Sequence, residues 1–97
     1  MKPDISIVIP AYNESERISQ PLGVILSHIE SNRLNAEVIV VDDGSSDDTS
    51  DVARRSFAAV PGVASQAIRY EQNRGKGFAV KTGLMAAAAD AALFTDA

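Results

Sequence analysis

Hydrophobic and polar positions fall into alternating blocks along the chain. Four short apolar, β-branched runs, Ile5 to Ile9, Val38 to Val41, Gln66 to Tyr70 and Ala91 to Thr95, are separated by stretches of helical periodicity. The first two runs are almost unbroken Ile and Val, the pattern of strands buried on both faces of a parallel sheet. In the first helical stretch Ile18, Leu22, Ile25, Leu26 and Ile29 share one face, and Asn13 with Glu16 reads as a capping box. Pro21 lies inside that stretch and would leave the carbonyl of Arg17 without a partner, so a kink or a late start is expected. The second helix is expected to be capped by Ser46, with Thr49, Val52, Ala53 and Phe57 turned inward, and to stop before Pro61-Gly62. The third is expected to start near Gly77 with Val80, Leu84, Ala87 and Ala88 facing the sheet. The one histidine, His28, sits among the apolar positions of the first helix and reads as structural.

Strand, helix, strand, helix, strand, helix, strand is the order of an α/β fold: an open parallel sheet of about four strands with helices on both faces, Rossmann-like in layout. Right-handed crossovers place every strand's C-terminal end on one edge, where open α/β sheets bind ligands. Composition narrows the function classes. With 97 residues, 45% of them hydrophobic, one domain is the ceiling, and residues 1–97 are read as a single unit. The absence of cysteine removes disulfides, thiolate zinc sites and thiol nucleophiles together. The first residues lack the apolar core of a secretory signal, and no run reaches the roughly 18 apolar residues of a membrane span, so a soluble, cytoplasmic chain is expected. Thirteen acids against nine bases, a net charge of −4, argue against nucleic acid as a partner.

Three polar segments follow the first three strands: Pro10-Ala11-Tyr12-Asn13-Glu14, Asp42-Asp43-Gly44-Ser45-Ser46-Asp47 and Asn73-Arg74-Gly75-Lys76-Gly77; Asp96 follows the fourth. Their convergence on one rim is the main argument for a site. Tyr12 can lay its ring on a nucleobase while Glu14 accepts hydrogen bonds; alternatively Tyr12 packs locally and Glu14 only favours a helix N-terminus. A turn with a helix cap explains Gly44, Ser46 and Asp47 but leaves Asp42 and Asp43 as adjacent anions with nothing to neutralise them, which favours a recognition role. In the third segment two glycines allow close backbone approach at a helix start, and Arg74 and Lys76 supply the charge a diphosphate wants; a turn with solvated bases is the other reading. The segment is neither a dinucleotide fingerprint nor a P-loop.

Taken together, Ser6 to Glu14, Val40 to Thr49 and the terminal Phe94-Thr95-Asp96-Ala97 resemble the N-terminal half of a family 2 glycosyltransferase of GT-A fold. Asn73-Arg74-Gly75-Lys76-Gly77 followed by Ala79-Val80 resembles the dolichyl-phosphate β-glucosyltransferase subgroup more than the mannosyl one. The resemblance implies that Pro10, Ala11, Tyr12 and Glu14 line a nucleoside pocket, that Asp43, with Asp42 close by, recognises the base, and that Lys76 lies near the donor phosphates. It implies that Asp96 begins an Asp-X-Asp motif holding Mg²⁺ or Mn²⁺ on the diphosphate, with the last aspartate of that motif absent here. The implied reaction is inverting transfer of glucose or another hexose from a nucleotide diphosphate sugar, UDP-linked, to a polyprenyl phosphate at the cytoplasmic face of a membrane. Truncated inside that motif, the chain alone is expected to bind nucleotide without catalysing transfer, and to expose apolar surface and self-associate. Two other readings remain: a non-catalytic nucleotide-binding module, and a signalling receiver domain, whose acidic pair would hold Mg²⁺ but normally follows the first strand.

Overall fold

A computed structural model describes residues 2–95 of the chain, so Asp96, the metal-binding expectation, lies outside the described residues. Strand β1 (Ile5–Ala11), helix α1 (Ser19–Ser31), β2 (Ala36–Asp43), α2 (Thr49–Ala58), β3 (Ala64–Tyr70), α3 (Lys76–Ala86) and β4 (Ala91–Phe94) follow in the expected alternation. The four strands are all parallel in the order β3-β2-β1-β4. The chain therefore winds outward from β1 through β2 to β3, then crosses back to lay β4 on β1's other side.

The Ile and Val runs form the two central strands because they have apolar neighbours on both faces. All eight residues of β2 are buried. Their alternation splits the core into two layers. Ile9, Val38 and Val40 pack with Leu22 and Leu26 of α1 and with Ala53 and Phe57 of α2. On the opposite face, Val8, Ile39 and Val41 pack with Ala79 of α3. Pro10 sits in central strand β1 with its missing N–H on the β4 side, the side on which Val8, two residues back, accepts the Thr95 amide, so the ladder to β2 loses no hydrogen bond.

Helix α1 starts late, as Pro21 requires: the helix begins at Ser19, so Pro21 falls in the first turn, where a backbone N–H would have no helical acceptor and its absence costs no helical bond. The capping box does not form. Asn13 instead adopts φ +51° and turns its side chain to the β2–α2 loop, and the N-terminal flank of α1 carries no side-chain cap. The cap of α2 also differs from expectation, since Asp48 flanks the helix and the carboxylate of Asp47, rather than Ser46, accepts the Thr49 amide at 3.0 Å. His28 is exposed in the last turn of α1, within 3.3 Å of the Asn32 side-chain amide, and not packed in the core.

The sheet-facing side of α3 is a correction of a different kind. Ala79 and Gly83 face the sheet, with Ala86 and Ala87 partly buried beside it. Leu84 is 43% exposed, Ala88 is exposed and Val80 only half-buried. Small residues let α3 lie close to β1 and β2, and the bulky Leu84 and Met85 then turn away from the sheet. Leu93 and Phe94 of edge strand β4 are exposed as well, one on each face of the sheet, and such exposed apolar side chains are what the expected self-association would rest on. Among the described residues no helix is long and apolar enough to cross a membrane.

Candidate functional site

The C-terminal edge of the sheet carries an open cleft of about 350 Å³ lined by Pro10, Ala11, Tyr12, Glu14, Asp43, Asn73, Gly75, Lys76 and Ala79. The floor is the end of β1, one wall is the β1–α1 loop and the other is the β3–α3 loop with the first turn of α3. Six of the site residues expected from sequence, Pro10, Ala11, Tyr12, Glu14, Asp43 and Lys76, meet here. Tyr12 leaves about half of its surface free at the rim. Glu14 is paired with Arg17 at 3.0 Å. Lys76 opens α3 with its ammonium 5.8 Å from the Phe94 ring centroid, so a cationic side chain and a helix N-terminus coincide at one end of the cleft.

Asp42 and Asp43 do not act as a pair. Adjacent strand residues point to opposite faces, and the alternation sends Asp42 toward α2, outside the cleft, and Asp43 toward α3. Nor are they unneutralised anions. Asp42, fully buried, accepts the Ser45 amide at 3.0 Å and the Ser50 hydroxyl at 2.5 Å, and lies 3.6 Å from the Arg69 guanidinium. Its role is to fold the β2–α2 turn. Asp43 accepts the Tyr70 hydroxyl at 2.5 Å and the Arg74 amide at 2.9 Å on Oδ1, and the Asn73 side-chain amide at 3.0 Å and the Gly75 amide at 2.9 Å on Oδ2. Burial, then the hydrogen bond to Asp43 and that carboxylate's charge, push the Tyr70 phenol far above its ordinary value.

A carboxylate has about four lone-pair positions, and those of Asp43 are all engaged. Asn73 and Gly75, the donors on Oδ2, line the cleft, whereas Tyr70 and Arg74, the donors on Oδ1, do not. Oδ2 is therefore the cleft-side oxygen. Gly44 makes this closure feasible: at φ +70° it brings the chain so near the β3–α3 loop that a Cβ would run into the backbone of Gln72 and Asn73.

The first wall is held just as tightly by the β2–α2 loop. The Asn13 amide donates to Ser45 Oγ at 2.8 Å, the Glu14 amide to Thr49 Oγ1 at 3.0 Å and the Ser15 amide to Asp47 Oδ2 at 3.3 Å. In return the Ser46 amide donates to Asn13 Oδ1 at 2.9 Å. Burial acts to raise the Asp47 carboxyl, but hydrogen bonds from Thr49 and Ser15 outweigh it and hold the group below its ordinary value.

Asn73, Gly75 and Ala79 line the cleft without having been singled out as site residues, although Asn73 and Gly75 lie in the third polar segment. Tyr70 is outside that segment, yet it is the register partner of Asp43 across the β2–β3 ladder. No group of three or more His, Asp or Glu able to hold a metal ion occurs among the described residues. Asp43 in particular meets only N–H and O–H donors, surroundings that suit an anion and repel a cation. The described residues thus do not form a metal site, and the opposed aspartates do not form the acidic pair of a receiver domain.

An open parallel sheet with a cleft at its C-terminal edge, walled by an acidic strand end and a basic helix start, is the nucleotide-binding layout of a GT-A glycosyltransferase. The chain belongs to glycosyl transferase family 2, whose sequence profile matches residues 6–97. It is 36% identical over 98 residues to human (Homo sapiens) dolichyl-phosphate beta-glucosyltransferase, an alignment covering 96% of this chain and 30% of that protein. Among solved structures, it is similar to a mannosyltransferase from Pyrobaculum calidifontis in complex with GDP-Man and Mn²⁺, with TM-score 0.77, 29% identity and coverage of 99% of this chain and 28% of the other. It is similar also to glucosyl-3-phosphoglycerate synthase from Mycobacterium tuberculosis in complex with Mn²⁺, UDP-glucose and phosphoglyceric acid, with TM-score 0.69, 32% identity and coverage of 97% and 33%. The chain thus spans about a third of the length of these relatives.

Proposed function

We propose that this chain is the nucleotide-binding part of an inverting glycosyltransferase that moves a hexose, glucose, from UDP-glucose to a polyprenyl phosphate at the cytoplasmic face of a membrane. The observation that carries the reading is the meeting of Tyr12, Glu14, Asp43, Asn73, Gly75 and Lys76 in one cleft at the strand ends. In this reading the Tyr12 ring covers the nucleobase and Asp43 Oδ2 takes its N–H, displacing or sharing a loop donor. Lys76 and the N-terminus of α3 hold the diphosphate, whose negative charge grows as the sugar leaves. The acceptor phosphate, already an anion, attacks the anomeric carbon from the opposite side of the sugar. Glucose and a polyprenyl phosphate are favoured by the 36% identity to a dolichyl-phosphate beta-glucosyltransferase. Use of a divalent cation is supported by Asp96 and by the Mn²⁺ bound in both solved relatives, and enters the test as a variable.

Calorimetric titration of the chain with UDP and UDP-glucose, with and without Mn²⁺ and beside Asp43→Ala, tests the reading. Binding by the chain that Asp43→Ala abolishes is the expected result. Equal binding by the two, or none by the folded chain, refutes the assignment of the nucleoside to this cleft.

A further inference from the structure

Asp43 could meet a ligand only through the oxygen that faces the cleft, so whatever fixes the rotation of its carboxylate also fixes what the cleft offers a base. Rotation about the last torsion of an aspartate is soft, with a broad two-fold profile, and the side chain does not hold its own plane. Two donors fix the oxygen remote from the cleft. One is the Arg74 amide, which belongs to the loop and moves with it. The other is the Tyr70 hydroxyl at 2.5 Å, which comes from strand β3 and is independent of the loop.

The Tyr70 ring is itself held. Phe78, in the first turn of α3, meets it edge to face at 5.2 Å with an interplanar angle of 87°, and the Arg74 guanidinium covers Phe78 at 5.2 Å. Neither Tyr70 nor Phe78 lines the cleft. They form a buttress behind Asp43 that runs from α3 to the end of β3. Register places the buttress: Tyr70 is paired with Asp43 across the parallel ladder, so hydroxyl and carboxylate meet without either backbone being displaced.

We infer that Tyr70 is a positioning residue for base recognition: its hydroxyl, steadied by Phe78, holds Asp43 with one oxygen presented to the cleft, where it selects a nucleobase that carries an imide N–H. The inference rests on the nucleotide reading above and adds to it a residue outside the cleft that sets selectivity. A merely structural tyrosine would alter affinity for every nucleotide alike, whereas a positioning tyrosine alters the preference for the N–H.

The test uses the whole 97-residue chain, with UDP and N3-methyl-UDP as paired probes, by calorimetry or fluorescence. The unsubstituted chain is expected to prefer UDP. Tyr70→Phe, which keeps the ring and its contact with Phe78, is expected to lower that preference about tenfold, the size of one charge-assisted hydrogen bond. Phe78→Leu keeps the hydroxyl and loosens the ring, and is expected to lower the preference less. An unchanged UDP to N3-methyl-UDP ratio in Tyr70→Phe overturns the inference, even if both ligands bind more weakly. Asp43→Asn separates the two levels: if it binds UDP as well as the unsubstituted chain does, or if that chain shows no preference for UDP, the reading of Asp43 itself fails. Loss of preference in Asp43→Asn but not in Tyr70→Phe removes Tyr70 alone.

Discussion

Alanine placed at Gly83 and alanine placed at Gly23 make the same chemical change in two helix interiors, yet the structure requires opposite outcomes. Both glycines gain intrinsic helix stability on substitution, about 1 kcal/mol each. At Gly23, in α1, a new Cβ meets no atom within 4 Å, so the gain stands and stability should rise by about 0.5–1 kcal/mol. At Gly83, in α3, the Cβ would run into Val8 Cγ1 and would also lie 3.1 Å from Val41 Cγ2. Val8 and Val41 are wholly buried, β-branched residues on the two central strands, so neither can swing aside cheaply. The helix must lift from the sheet, an overpacking cost of up to about 3 kcal/mol, leaving a net loss of about 2 kcal/mol. Urea unfolding followed by circular dichroism reads both changes. With a slope of about 1 kcal/mol per molar, the midpoint should fall by roughly 2 M in Gly83→Ala and rise by roughly 0.5–1 M in Gly23→Ala. Adding Val8→Ala to Gly83→Ala should cost less than it does alone, because the cavity it leaves receives the new methyl. A Gly83→Ala chain as stable as the parent would refute the close approach of α3 to the sheet.

Gly44→Ala places a non-glycine residue at φ +70° and a methyl against the backbone of Gln72 and Asn73, so it should cost about 1–2 kcal/mol from the dihedral alone. Amide exchange should show the Arg74 and Gly75 N–H groups, now bonded to Asp43, losing protection first. Asp47 has a carboxyl held below its ordinary value in the folded state, so its contribution is present above the unfolded value, about pH 4, and is lost as pH falls toward the folded one. The stability gap between the parent chain and Asp47→Asn should accordingly shrink below about pH 4; a gap that widens on acidification would contradict the hydrogen bonding of Asp47.

Much of this architecture was legible in the sequence because buried parallel strands leave a strong signal. The Ile and Val runs mark β1 and β2, and the rule that ligands gather at strand C-termini points to the cleft before any side chain is placed. What was illegible depended on partners distant in the chain. Asn13 has the residue type of a helix cap, yet its oxygen serves Ser46, 33 residues on. The face of α3 departs from the expected one because apolar bulk does not mark burial there: close approach to a sheet selects the small Ala79 and Gly83 and leaves Leu84 outside.

The two aspartates show how far period-two alternation alone could have been taken. Adjacent strand residues cannot share a site on one face, so Asp42 and Asp43 had to serve different loops. Asp42 folds the β2–α2 turn, whose Ser45, Ser46, Asp47 and Thr49 fasten the loop carrying Tyr12 and Glu14. Asp43 fastens the opposite loop through Asn73, Arg74 and Gly75. Each wall of the cleft is thus tied to the end of the same strand, β2, the strand whose every residue is buried. The ordering of both walls is supplied by folding rather than by the ligand, and the adjustment left for binding is at the donors on Asp43 Oδ2. The acidic motif is accordingly loop architecture first; the Asp43 oxygen that faces the cleft can serve recognition only by sharing or exchanging one of its loop donors, Asn73 or Gly75.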